Sequence, residues 1–216
     1  MLLYPKNKVS IAKVKHFVII FYSVGILGFL MPFTKNIFIA ITPFALLLNT
    51  YLLIIYHQNI QFKDMLVFLS IFLLGYIIEV IGVNTGLIFG SYSYGHTLGV
   101  KLFDTPLLIG VNWLFLTYTA TSAADYFTKD RWPTLIVAPT LMVIYDIVLE
   151  LVAPHIDMWY WENSVVPLQN YIAWFIIAFA FVAILKAFKT NTHNPLALVI
   201  LICQFLFFVF LSLFVK

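Results

Sequence analysis

Three carboxylic acids carry the chemistry that this sequence is equipped to do. Glu79 falls in the apolar run Met65–Val83, and Asp146 and Glu150 fall in the run Thr134–Ala153. An ionisable group inside a membrane-length apolar segment is costly to place and usually has a function. Asp146 and Glu150 are spaced i, i+4, so they share one helix face. Glu79 lies four residues before the end of its run. At 1.5 Å rise per residue, all three acids sit roughly 5–10 Å below the ends of their helices. No Lys or Arg inside an apolar run is available to neutralise them. A carboxyl removed from water favours its neutral form, and a neutral carboxylic acid is the species a general acid must be before it gives up a proton. Two carboxyls one turn apart in a dry site do not both ionise readily, and they titrate as a unit. Such a pair supplies an acid and a base together. The plainer alternative is that the three carboxyls only hydrogen-bond between helices.

The residues around these acids suggest how they are held. Gly75 and Gly82 lie at i−4 and i+3 from Glu79, and small residues on one stripe let a neighbouring helix come close. Glu79 should therefore face protein and not lipid. Pro139 removes a helical hydrogen bond one turn or more before Asp146 and is expected to bend that helix. The stretch Glu79 to Gly95 is rich in Gly, Ser and Tyr. Tyr92, Tyr94, Trp113, Trp159 and Trp161 are candidates for aromatic walls. Asn84, Asn112 and Asn170 are candidate polar positioners, since an amide can bond both a carboxyl and a water. Against this stands the ordinary use of Tyr and Trp as a belt at the membrane interface.

The elements that must position these residues follow from composition. Of 216 residues, 63% are hydrophobic and 10% charged, whereas a soluble domain is nearer half apolar and a quarter charged. The surface itself must be apolar, and its solvent is lipid. Seven runs are long enough for the 17–25 residues a crossing requires: Phe17–Phe33, Ile37–Tyr56, Met65–Val83, Pro106–Ala124, Thr134–Ala153, Gln169–Leu185 and Leu196–Val215. The fold class expected is all-α, one polytopic bundle of about seven transmembrane helices forming a single domain over 1–216. The first run reads as a retained span behind a basic tail. With the N-terminus inside, Lys6, Lys8, Lys13, Lys15, Lys63, Lys129, Arg131, Lys186 and Lys189 lie on the inner side, and Lys35, Lys101 and Lys216 on the outer. Nine against three favours that orientation by the positive-inside rule. The two long connections, Asn84 to Thr105 and Pro154 to Leu168, then share the outer face.

Several chemistries are disfavoured by what is missing. The five His residues are scattered, with no pair at i, i+3 or i, i+4, so no clustered ligand set for di-iron is expected. No Asp-x-x-x-Asp motif suits Mg²⁺-diphosphate, no Gly-x-Gly-x-x-Gly or phosphate-loop ending suits a nucleotide, and the last run has no Lys for a retinal Schiff base. A net charge of +3, dispersed along the chain, does not make a nucleic-acid surface. Cys203 is alone, so no disulfide forms within the chain. No metal and no cofactor are expected; acids, aromatics and water remain.

The pattern Glu79-x-x-Gly82-x-Asn84-Thr85-Gly86-x-x-x-Gly90-x-Tyr92-x-Tyr94, with Leu98-Gly99, Pro106, Asn112-Trp113, Asp146, Glu150, Pro154, Asp157, Trp159, Trp161, Pro167, Asn170 and Trp174, resembles a family of carotenoid-biosynthesis membrane proteins that includes the CruF-type carotenoid 1′,2′-hydratases. The likeness covers about residues 75–175. It implies a cofactor-independent hydro-lyase that adds water across the terminal double bond of a linear carotenoid such as γ-carotene or lycopene. Glu79, Asp146 and Glu150 are then the catalytic candidates, and Asp157 joins the tyrosines, tryptophans and asparagines as a substrate-binding candidate. The residues fit that chemistry. Protonation of a trisubstituted alkene gives a tertiary cation, aromatic faces stabilise it, and a second carboxyl orients the water. A carotenoid end-group cyclase or isomerase would share the first step. From a different class, a proton-coupled transporter or receptor would also use membrane carboxyls, though no repeated halves are apparent. The implied setting is the cell membrane, with the N-terminus inside. The sequence gives no oligomeric state and does not separate acid from base, although the deeper Asp146 is the preferred acid. A reporter fused after Lys216 is expected to read outside; a cytoplasmic signal would reverse the orientation.

Overall fold

The computed structural model describes residues 9–128 and 130–215, and the side chain of Arg131 is not among what it describes. Seven α-helices of 18 to 24 residues account for most of the described residues: α1 Ile11–Leu30, α2 Pro32–Ile55, α3 Phe62–Thr85, α4 Leu108–Phe127, α5 Arg131–Glu150, α6 Leu168–Ala187 and α7 Ala197–Phe214. Each coincides with one of the seven apolar runs, shifted by a few residues, and the bundle is all-α apart from short strands in the connections. Six of the helices are long and apolar enough to cross a membrane, as expected of an integral membrane protein. The exception is α4, and its position explains its composition. Thirteen of its 20 residues are buried, so α4 runs through the middle of the bundle and needs no lipid-compatible surface. Its threonines at 117, 119 and 121 are all buried. By contrast α2 buries only Asn49 and Leu53 and stands at the periphery. Pro139 lies inside α5, which continues as one helix to Glu150.

The helices run alternately up and down. At one end the connections after α2, α4 and α6 meet: Asn191 Nδ2 donates to the Gln58 carbonyl (2.7 Å) and Lys63 Nζ to the Phe188 carbonyl (3.4 Å). Beneath them Asp125 of α4 pairs with Lys186 of α6 at 2.5 Å and also accepts from Thr134 (2.8 Å) and Thr192 (3.2 Å). At the opposite end lie the two long connections. Strand β1 (Tyr92–Tyr94) from the first pairs antiparallel with β4 (Trp159–Trp161) from the second, in register Tyr92 with Trp161 and Tyr94 with Trp159. A smaller hairpin joins β2 (Lys101–Leu102) to β3 (Thr105–Pro106). The two connections do share one face. Lys6, Lys8, Lys129 and Lys216, counted above for orientation, lie outside the described residues.

Close helix contact depends on small residues at the α3–α4 seam. A Cβ on Gly110 would stand 2.8 Å from the Phe72 carbonyl oxygen, and one on Gly75 would stand 2.7 Å from Cβ of Trp113. Gly75 thus does what the stripe implied. Gly82 is different: its open side is filled by the Phe89 ring, 2.5 Å from a built Cβ, and not by a helix. Backbone cannot step aside as a flexible side chain can. Gly110→Ala should therefore force α3 and α4 apart and cost about 1–3 kcal/mol, the usual range for overpacking. A lowered thermal midpoint in detergent is the expected result; an unchanged midpoint would mean the seam is looser than described.

Candidate active site

The β1–β4 clasp lies over the ends of α3 and α5 and sets its aromatic side chains against their carboxyls. Glu79 is buried in α3 and accepts three hydrogen bonds: from Tyr92 Oη (2.5 Å) and Tyr94 Oη (2.8 Å) on Oε2, and from Trp113 Nε1 (2.8 Å) on Oε1. Burial, and next the Glu79 carboxylate beside them, push both tyrosine hydroxyls well above their ordinary pKa, so they remain donors. Glu150 closes α5 and accepts on Oε2 from Trp159 Nε1 (3.0 Å) and Trp161 Nε1 (2.7 Å). Asp146, one turn deeper, is wholly buried. Its Oδ2 accepts from Asn170 Nδ2 of α6 at 2.9 Å, while its Oδ1 has no partner. A buried, unpaired oxygen costs free energy unless something bonds it in the working state.

The three carboxyls line one small chamber, with Phe89, Tyr92, Tyr94, Ile109, Trp159, Trp161, Asn170 and Trp174 completing its wall. Its free volume of about 20 Å³ suffices for a single water, which needs at least 10–15 Å³. Trp113 and Trp174 stack with ring centroids 4.3 Å apart, and this pair braces Glu79 from below. Next to the chamber, an apolar groove of about 410 Å³ runs between α1, α2 and α7. Ile109 and Trp159 belong to both walls.

Of the residues singled out in the sequence, Glu79, Asp146, Glu150, Tyr92, Tyr94, Trp113, Trp159, Trp161 and Asn170 come together here. Three do not reach the chamber. Asn84, at the exposed end of α3, spends its amide on the Val80 and Phe103 carbonyls. Asp157 turns outward in a left-handed backbone conformation (φ 56°) and bonds His96 (3.0 Å) and Tyr160 (2.9 Å). Partial burial alone would raise its carboxyl, but the Tyr160 hydroxyl together with the ring, the backbone N–H and the charge of His96 outweighs it and holds it below the ordinary range. Asn112 lines the apolar groove instead. Phe89 and Trp174 line the chamber without having been named as site residues. Trp174 was open to detection, being i+4 from Asn170 on one helix face; Phe89 had no periodic signal, because it sits in a loop.

A family profile described as carotenoid biosynthesis protein matches residues 37–216. The chain belongs to that family. It takes part in carotenoid biosynthesis, and its lipid-facing helices and apolar groove suit that setting. No curated protein and no solved structure matches it. The matched region contains the chamber, the clasp and the groove, except for the groove wall contributed by α1.

Because the clasp carries donors to both Glu79 and Glu150, its register should be directly measurable. Ser93 and Tyr160 are opposed in it, and both side chains are exposed. Opposed strand residues have Cβ atoms about 4.5–5.5 Å apart. The double variant Ser93→Cys/Tyr160→Cys should cross-link under a mild oxidant, read as a loss of two free thiols by mass. Failure to cross-link in a folded sample would refute the pairing.

Proposed function

We propose that the chain hydrates the terminal double bond of a linear carotenoid end group. The observation that carries this reading is the set of unequal carboxyls in one water-sized chamber beside an apolar groove. Asp146 offers an oxygen that no protein group bonds, the place from which an acid O–H reaches a ligand. Glu79 is saturated with donors. Glu150 is bonded by indoles on one oxygen and has its other available for water.

The steps follow from these differences. The polyene lies in the groove, and its end group passes Ile109 and Trp159 into the chamber. Asp146 gives its proton to the less substituted alkene carbon, leaving a tertiary cation on its neighbour. Tryptophan and tyrosine faces stabilise that cation, an interaction worth up to ~2 kcal/mol in a desolvated site, and the fixed Glu79 carboxyl adds electrostatic support. A water held by Glu150 attacks the cation and passes its surplus proton to Glu150. Proton return from Glu150 to Asp146, one helical turn away, restores the starting state. The net change is one water added, with no electron transferred. Ring closure or proton loss in place of water capture would make the enzyme a cyclase or isomerase; the water-sized space favours capture.

Expression in cells that make γ-carotene or lycopene, followed by mass analysis of the pigments, tests the reaction: a gain of one water is expected, and an isomer of unchanged mass would replace hydration with cyclisation. Asp146→Asn, Glu150→Gln and Glu79→Gln should each lower the rate by about 10²–10⁴-fold, the usual cost of losing an acid–base group. Near-normal hydration by all three inserted variants would reduce these carboxyls to structural hydrogen-bonders.

A further inference from the structure

The chamber has room for one water, about 20 Å³, and a branched hydrocarbon end group is far larger than that. A hydrated end group therefore cannot rest where it was made. Once Trp159 and Ile109 stand in the wall as they do here, the alcohol lies beyond them, in the groove of about 410 Å³. That groove is walled mainly by aliphatic and aromatic side chains. A hydroxyl left there without a partner costs the hydrogen bonds it had in water.

Besides Trp159, whose N–H is given to Glu150, five polar side chains belong to the groove wall: Tyr22, Thr42, Asn112, Tyr145 and Gln204. Thr42 donates to the Phe38 carbonyl at 2.9 Å. Gln204 bonds the Tyr145 hydroxyl, and its own oxygen is sealed from the groove. Tyr22 belongs to α1, which gives the chamber no wall. Asn112 differs from all of these. The residue is 9% exposed, its amide has no partner among the described residues, and neither amide atom is sealed from the groove. It stands on α4 one turn below Ile109, about 4.5 Å further along the axis. An end group that leaves the chamber past Ile109 thus meets the Asn112 amide at once. That amide has a carbonyl acceptor and two N–H donors, so it can accept from an alcohol and donate to it.

We propose that Asn112 holds the hydroxyl of the alcohol product in the groove. The inference rests on the reading of the reaction as hydration of a linear carotenoid end group. Asn112 takes no part in making or breaking bonds; it is a product-binding residue. Its consequence is a direction: the alcohol is drawn a helical turn away from Asp146, out of reach of the acid that would dehydrate it again.

The test is equilibrium binding to the purified protein in lipid nanodiscs, read by quenching of tryptophan fluorescence. The probes are lycopene and lycopene hydrated at both ends, so that either end of the second brings a hydroxyl. Asn112→Leu keeps the size of the side chain and removes the amide. It should weaken binding of the diol roughly tenfold, the size of one hydrogen bond, and leave lycopene binding unchanged, which also reports that the variant is folded. Asn112→Val is the second variant should the first fail to insert. Asp146→Asn should keep the wild-type affinity for the diol. Equal binding of the diol by the wild type and Asn112→Leu would overturn the proposal, and so would equal weakening of both pigments, the mark of a packing change. A loss of diol binding on Asp146→Asn with none on Asn112→Leu would place the hydroxyl in the chamber and overturn it too. A wild type that binds neither pigment would overturn it together with the placement of the polyene in the groove. The alcohol is supplied and no turnover is measured, so an absence of water addition in pigment-producing cells would count against the reaction and leave Asn112 standing as an alcohol site.

Discussion

A carboxyl placed inside a membrane-spanning helix must be given hydrogen-bond donors, because neither lipid nor bulk water is there to supply them. Glu79 imposes that requirement most strongly. Its three donors come from two separate parts of the chain: Tyr92 and Tyr94 from β1, and Trp113 from α4. Glu150 draws its two donors from Trp159 and Trp161 of β4. The strand pairing therefore has a use beyond its few backbone hydrogen bonds. By locking β1 to β4 it delivers the donors of both carboxyls at once, and the two ring sets pack on each other, with Tyr92 and Trp161 centroids 5.0 Å apart. Loss of the pairing would expose two acids, so the acids and the clasp stabilise one another.

The acids at the two ends of the bundle are satisfied differently. Asp125 is given a full positive charge by Lys186, with threonines completing its coordination. Such a pair ties α4 to α6. At the chamber end, among the described residues, every donor that reaches Glu79, Asp146 and Glu150 is neutral: a phenol, an indole or an amide. Neutral donors satisfy the oxygens without supplying a counter-charge. That contrast in partners accompanies one in burial: the Asp125 side chain is 34% exposed, whereas Glu79, Asp146 and Glu150 are buried.

Much of this was legible in the sequence because membrane helices announce themselves by length and hydropathy. The seven runs, the common depth of the acids and the shared face of the long connections all follow from rise per residue and alternation. What was not legible depended on backbone paths through loops. Asn84 and Asp157 have the same residue types as the chamber's own groups, yet the helix end and a left-handed turn aim them outward. Phe89 is in the chamber because Gly82 leaves room for its ring, a pairing no periodicity reveals. The Asp125–Lys186 pair escaped for a simpler reason: the apolar runs were ended at Ala124 and Leu185, one residue short of each partner, so two charges that meet within the bundle were read as loop residues.

Trp159 is where the two halves of the site have to be reconciled. In the reaction proposed above an alkene end group would arrive from an apolar groove, whereas water needs polar partners, and the chamber as it stands has room for the water alone. Trp159 belongs to both walls, and its N–H is committed to Glu150. Its indole thus offers hydrocarbon to the groove and a hydrogen bond to the acid from the same side chain. An end group can reach the carboxyls only by shifting this ring or Ile109, the other residue common to both walls. Shifting Trp159 would strain or break its bond to Glu150, while Trp161 keeps the second bond to the same oxygen. Glu150 would then lose one of its two indole donors as the substrate arrives, and a carboxylate with fewer donors is a stronger base. On the proposed mechanism, arrival of the alkene would itself sharpen the group assigned to take the proton from water.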